Sequence, residues 1–241
     1  MIAHALRVAL AVALLLVAGC SGENDEAESP PPPPEPAAEE LLSEVERTQP
    51  GVVLQDFVRA AAKRDEGRMW ERLSEPARRR LGPTQSGFRR RAARALEQEL
   101  APLGRRHQLV LSQAITPTFA VAAVARGSMV YAAALRLERG LWRVELESPV
   151  RIKPLRPKPG ETVSRRTQLA AEVRAGSPII EAGLWLDGLA FPSRGGGPTP
   201  DALTMFGESP TLSSGRHTVV AFASTAAHAA ARAWPFQAMV R

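Results

Sequence analysis

The side chains able to do covalent or metal chemistry are few: one cysteine and four histidines in 241 residues. Cys20 stands alone, which excludes disulfides and cysteine-based zinc sites within the chain. The histidines are His4, His107, His217 and His228, and no two have the i, i+4 spacing that lets a helix present two imidazoles to a metal ion. Ser214, His217 and Asp187 are the residue types of a nucleophile, a base and an orienting acid. Serine and aspartate are also ordinary turn residues, and His217 alternates with Val219 and Ala221 as a strand residue does, which points to a structural imidazole. Gly195-Gly196-Gly197 lacks the lysine and helix of a phosphate cradle and reads as a flexible loop. No nucleotide, haem or metal motif is present, so the expectation is a non-enzymatic chain with no catalytic residue, metal or cofactor.

Cys20 closes a leader. Arg7 precedes an apolar run over residues 8–17, followed by Ala18 and Gly19. A run of about ten apolar residues is half of what a bilayer-crossing helix needs, and this order of charge, apolar stretch and small residues marks a cleavable signal peptide. The segment Val17-Ala18-Gly19-Cys20 resembles the bacterial lipobox. That resemblance implies a diacylglycerol on the Cys20 thiol, cleavage after residue 19, and a lipoprotein, acylated by chains such as palmitate, on the extracytoplasmic face of the cell membrane. Residues 20–50 hold five consecutive prolines, Pro30 to Pro34, together with Pro36 and nine acidic side chains. Such a composition predicts an acidic, disordered tether, extended at roughly 3 Å per residue, that spaces the folded part away from the membrane.

The remaining chain reads as two halves. Between Pro149 and Gly160 there are four prolines and no acidic residue, a pattern expected to break any regular element. Before it, Val53, Leu54, Phe57, Val58 and Ala61 recur at helical spacing, as do Phe88, Ala92, Leu96, Leu100 and Leu103, with a shorter helix around Met69, Trp70 and Leu73. After Gly104 the pattern becomes one of strands, over 107–115, 119–125, 128–137 and 141–147. In the last of these, Trp142, Val144 and Leu146 form the expected core face, and Arg143, Glu145 and Glu147 the wet one. Helices followed by an antiparallel meander make an α+β arrangement. The opening helix, the Asp65-Glu66-Gly67 break before Trp70 and the closing hairpin over 131–147 are similar to the NTF2-like cone fold of many exported lipoproteins. The resemblance covers residues 51–149 and implies a cone that often encloses a pocket, with Trp70, Tyr131 and Trp142 as its candidate lining.

The second half carries short apolar runs separated by Gly, Pro and Ser clusters, the signature of a β-sandwich. Pro159-Gly160-Glu161-Thr162-Val163-Ser164, Leu184-Trp185-Leu186-Asp187-Gly188, the stretch from Leu212 to Val219 and Trp234-Pro235-Phe236 resemble bacterial Ig-like domains over residues 158–241. The family usually places Asp-x-x-Gly-Asn before the last strand. Here Ser224-Thr225-Ala226-Ala227-His228 stands in that place, which leaves the register of the last hairpin open. Two domains, 51–149 and 158–241, each with its own core, are therefore expected.

Charge is unevenly spread. The tether is acidic, while residues 59–106 carry most of the basic excess, including Arg78 to Arg80 and Arg89 to Arg91. A basic cluster on an exported chain suits an anionic lipid or cell-wall polymer, although a solvated helix face explains it as well. Nucleic acid is not expected, since no aromatics interleave the arginines. The sequence thus predicts a membrane-anchored surface lipoprotein that binds another envelope protein or an anionic cell-wall polymer. The alternative is a small-ligand carrier or weak hydrolase using the cone pocket.

Overall fold

The computed structural model describes residues 49–239. The leader, Cys20 and nearly all of the tether lie outside the described residues. Helix α1 (Pro50–Lys63) starts on a proline and ends at Arg64 with φ 58°, whose N–H returns to the carbonyls of Ala60 and Ala61. Three short helices come next, α2 (Glu66–Arg72), α3 (Glu75–Leu81) and α4 (Gln85–Phe88). Each is capped by a side-chain oxygen, from Asp65, Ser74 and Thr84, accepting a backbone N–H of the first turn. A π-helical turn, Arg89–Ala93, joins α4 to α5 (Arg94–Leu100). Asp56 ties α1 to α2 through Arg68 and Arg72, at 2.9 and 2.7 Å. Burial pushes the Asp56 carboxyl up, but hydrogen bonds and charge from the two arginines outweigh it and hold it below the usual carboxylate value.

Among the described residues thirteen strands form three sheets. The first is an antiparallel meander of β1 (Gln108–Ala114), β2 (Phe119–Arg126), β3 (Met129–Glu138) and β4 (Leu141–Glu145), in that order. The second has the order β10-β11-β7-β5, from β5 (Arg151–Arg156), β7 (Gln168–Arg174), β10 (Arg194–Thr199) and β11 (Ala202–Glu208). The third, β6-β13-β12-β8-β9, contains β6 (Thr162–Val163), β8 (Glu181–Leu186), β9 (Leu189–Phe191), β12 (Gly215–Ser224) and β13 (Ala229–Ala238). The fold is therefore mostly β-sheet, packed as sandwiches, with a few helices.

Three buried clusters fix the layering. Helices cover one face of the first sheet: Leu54, Phe57, Val58, Met69 and Phe88 meet Ala120, Ala122, Val124, Leu135, Trp142 and Val144. The second and third sheets close on each other through Ile152, Leu169, Val173 and Met205 against Leu184, Val219, Trp234 and Phe236. A third cluster joins the halves, with Leu111, Phe119, Val121, Ala123, Ala132 and Ala134 of the first sheet against Trp185, Val220, Phe222 and Ala229 of the third. The order of layers is helices, first sheet, third sheet, second sheet.

Two sequence expectations change here. The proline-rich stretch from 149 to 160 contains a full strand, β5, paired with β7. Pro154 is accommodated because β5 is the edge of its sheet and the register shifts between Pro154 and Arg156. Gly195-Gly196-Gly197 is likewise part of edge strand β10 and not a free loop. A β-carbon at Gly197 would lie 1.8 Å from the Ala202 carbonyl oxygen, so the close approach of β10 to β11 requires glycine there.

Candidate functional site

The last hairpin folds without an Asp-x-x-Gly-Asn turn. Ser224 pairs with Ala229, and Thr225 closes residues 225–228 by accepting the N–H groups of Ala227 and His228 at its Oγ1 while its own N–H bonds the His228 carbonyl. This turn is docked on the helical half. Arg136 of β3 donates to the Ala227 carbonyl, and Arg80 at the end of α3 lies 3.1 Å from His228 Nδ1.

Both arginines converge on Glu145. Its side chain is fully buried; Oε2 accepts from Ser74 Oγ at 2.5 Å and Arg136 Nε at 3.1 Å, and Oε1 lies 3.5 Å from Arg80 and 3.7 Å from His228 Nδ1. The alternation of β4 places Glu145 on a wet face, and that expectation is overturned. The opposite face of the first sheet meets the third sheet instead of water, so the carboxylate is enclosed and held by its cations. Neither its spacing nor its neighbours in the chain marked Glu145, because its partners come from three separate places: Ser74 and Arg80 from α3 and its cap, Arg136 from β3 and His228 from the β12–β13 turn.

Beside this cluster runs a cleft of about 420 Å³ between the end of β4, the chain leading into β5, and β13. Its walls include Tyr131, Glu99, Glu145 and Glu147, with Arg151 and Arg232 opposite in charge. Burial, aided by the carboxylates of Glu99 and Glu147, pushes the Tyr131 phenol well above its ordinary value. Of the three aromatic residues expected to line a pocket, Tyr131 alone contributes to this cleft. Trp142 is buried in the first core, and Trp70 packs at its margin, its indole N–H donating to the Gly82 carbonyl and Arg78 lying 4.2 Å over its ring.

The Ser214, His217, Asp187 combination is brought together only in part. His217 Nδ1 donates to Asp187 Oδ2 at 2.7 Å and Nε2 donates to the Ser213 carbonyl at 3.0 Å, while Ser214 Oγ bonds the Ala238 carbonyl. With both ring nitrogens engaged, the imidazole has no free base to offer a serine. Burial lowers the affinity of His217 for a proton, but the Asp187 hydrogen bond, the Ser213 carbonyl and the Asp187 charge outweigh it and raise the imidazole above its usual value. The pair is a brace: Asp187-Gly188 makes the tight β8–β9 turn, Asp187 Oδ1 accepts from Thr218 N–H, and His217 stacks on Phe236.

Among the described residues no group of three or more His, Cys, Asp or Glu side chains is placed to hold a metal ion. No helix among them is long and apolar enough to cross a membrane. No protein-family model matches the chain, and no curated protein matches it. Solved structures similar in part include the endo-β-1,4-mannanase from Thermotoga petrophila, at 10% identity and TM-score 0.33 over 38% of this chain and 20% of that one. CopC from Methylosinus trichosporium OB3b is similar at 15% identity and TM-score 0.29, over 38% of this chain and 96% of that one. The I-band fragment I67–I69 from titin is similar at 13% identity and TM-score 0.28, over 56% and 50% of the two chains. At such scores these likenesses carry no argument, and the fold stands on its own strand order and packing.

Proposed function

We propose that this chain is a non-enzymatic lipoprotein, anchored at Cys20 to the extracytoplasmic face of the cell membrane, that presents its folded part to another envelope component. The single observation that carries the reading is the leader: Arg7, a short apolar run, Ala18-Gly19 and the chain's one cysteine at the point of cleavage. The helices over one face of the first sheet support an NTF2-like reading of the first half, and the strand pairing of the second supports an Ig-like one. The engaged nitrogens of His217 support a binding role over hydrolysis. A second reading, small-ligand carriage, is favoured by the cleft beside Tyr131.

Cys20→Ser tests the proposal. No other thiol exists to accept the lipid, so the variant is expected to leave the membrane fraction after a high-salt wash while wild type stays. Retention of the variant at the wild-type level would overturn the anchor.

A further inference from the structure

A second concave site lies on the helical side, away from the Tyr131 cleft. It is a groove of about 550 Å³ between the end of α1 and α5. Its lining includes the small residues Ala61, Ala62, Ala101 and Gly104 and the guanidinium groups of Arg64, Arg94 and Arg105. A fourth arginine lies beside the groove: the Arg126 Nη1 stands 2.1 Å from where a β-carbon at Gly104 (φ 59°) would be, so the guanidinium packs against the glycine. Among the described residues these four arginines form no ion pair with a carboxylate, in contrast to Arg68, Arg79, Arg80, Arg89, Arg136 and Arg174. Of the two acids in the lining, Glu66 is taken by Arg89, which leaves Glu97 against the four cations.

Guanidinium groups that edge one groove without carboxylate partners match the planar, two-oxygen geometry of phosphate and carboxylate. A groove edged by arginines and lined by small residues takes a narrow chain, whereas a membrane surface is a plane and reaches only the rims. We infer that this groove binds one repeat of an anionic polymer through its phosphate or carboxylate groups. The inference rests on the reading of the chain as an exported envelope binder, which determines what polymers it meets.

The test is equilibrium binding to the full chain in detergent. The probes are a galacturonate trimer and a glycerol-phosphate trimer, with maltotriose as the neutral control and vesicles containing phosphatidylglycerol as the membrane arm. One or both charged trimers are expected to bind, more weakly as salt rises, and maltotriose is not. The exposed pair Arg94→Gln with Arg105→Gln is expected to weaken binding by about tenfold or more, in line with the loss of charged hydrogen bonds. Glu97→Gln removes the opposing charge and is expected to tighten it. Arg79→Gln, outside the groove and paired with Glu75, is expected to change nothing. Failure of both charged trimers to bind would overturn the inference, as would equal sensitivity to Arg79→Gln. Vesicle binding that depends on Arg94 and Arg105 without trimer binding would also overturn it, in favour of a lipid surface. The Cys20→Ser fractionation reads the anchor independently, so either proposal can fail without the other.

Discussion

At the scale of single residues the second half is braced by the His217–Asp187 pair, in keeping with the structural imidazole expected from the strand alternation. His217 has its folded value raised, so its contribution to stability is fully present below the ordinary imidazole value of about 6.5 and is lost as pH rises through the higher folded value. Asp187→Asn removes the partner and flattens that dependence. The expected outcome is a wild-type advantage in urea midpoint near pH 5.5 that shrinks toward about pH 8.5. An advantage that grew with pH would contradict the pairing. His217 was legible as a strand residue because its neighbours alternate; its bond to Asp187 was not, since Asp187 comes from another strand's turn thirty residues earlier in the chain.

At the scale of elements the features that mattered were edges and faces. The apolar run from Phe119 to Val124 is buried on both sides, and so is the run from Val219 to Ala223, because each strand lies in a sheet covered twice. Continuous apolar strands of this kind are a signal of double burial, here in antiparallel sheets. The β12–β13 turn depends on Glu145 in the same way that the sheets depend on these faces. Glu145→Ala leaves Arg136 and Arg80 at the junction without their buried partner, a loss expected to cost about 3–5 kcal/mol in chemical denaturation. Amide exchange over residues 225–228 is expected to rise, since the docked turn loses its hold. Unchanged exchange there would mean that the turn is held by backbone alone.

At the scale of the whole molecule the third cluster decides how it unfolds. Trp185 is buried between the first and third sheets, and its indole N–H donates to Gln113 Oε1 at 2.8 Å. Trp185→Ala is expected to cost about 3–5 kcal/mol, as for other buried aromatics, and to lower one transition seen alike by exchange probes in α1 and in β7. Two separate transitions would show that the halves unfold independently despite the third cluster. Sequence alone determined the helix-then-strand order and the positions of most strands, because periodicity, caps and turns are local and each is written in a few adjacent residues. Only the tertiary structure decided that β5 belongs to the sandwich, that Glu145 is buried, and that a third buried cluster joins the two halves. Each of these depends on which sheet face meets which, and side-chain alternation tells a strand that it has two faces without telling it what covers them.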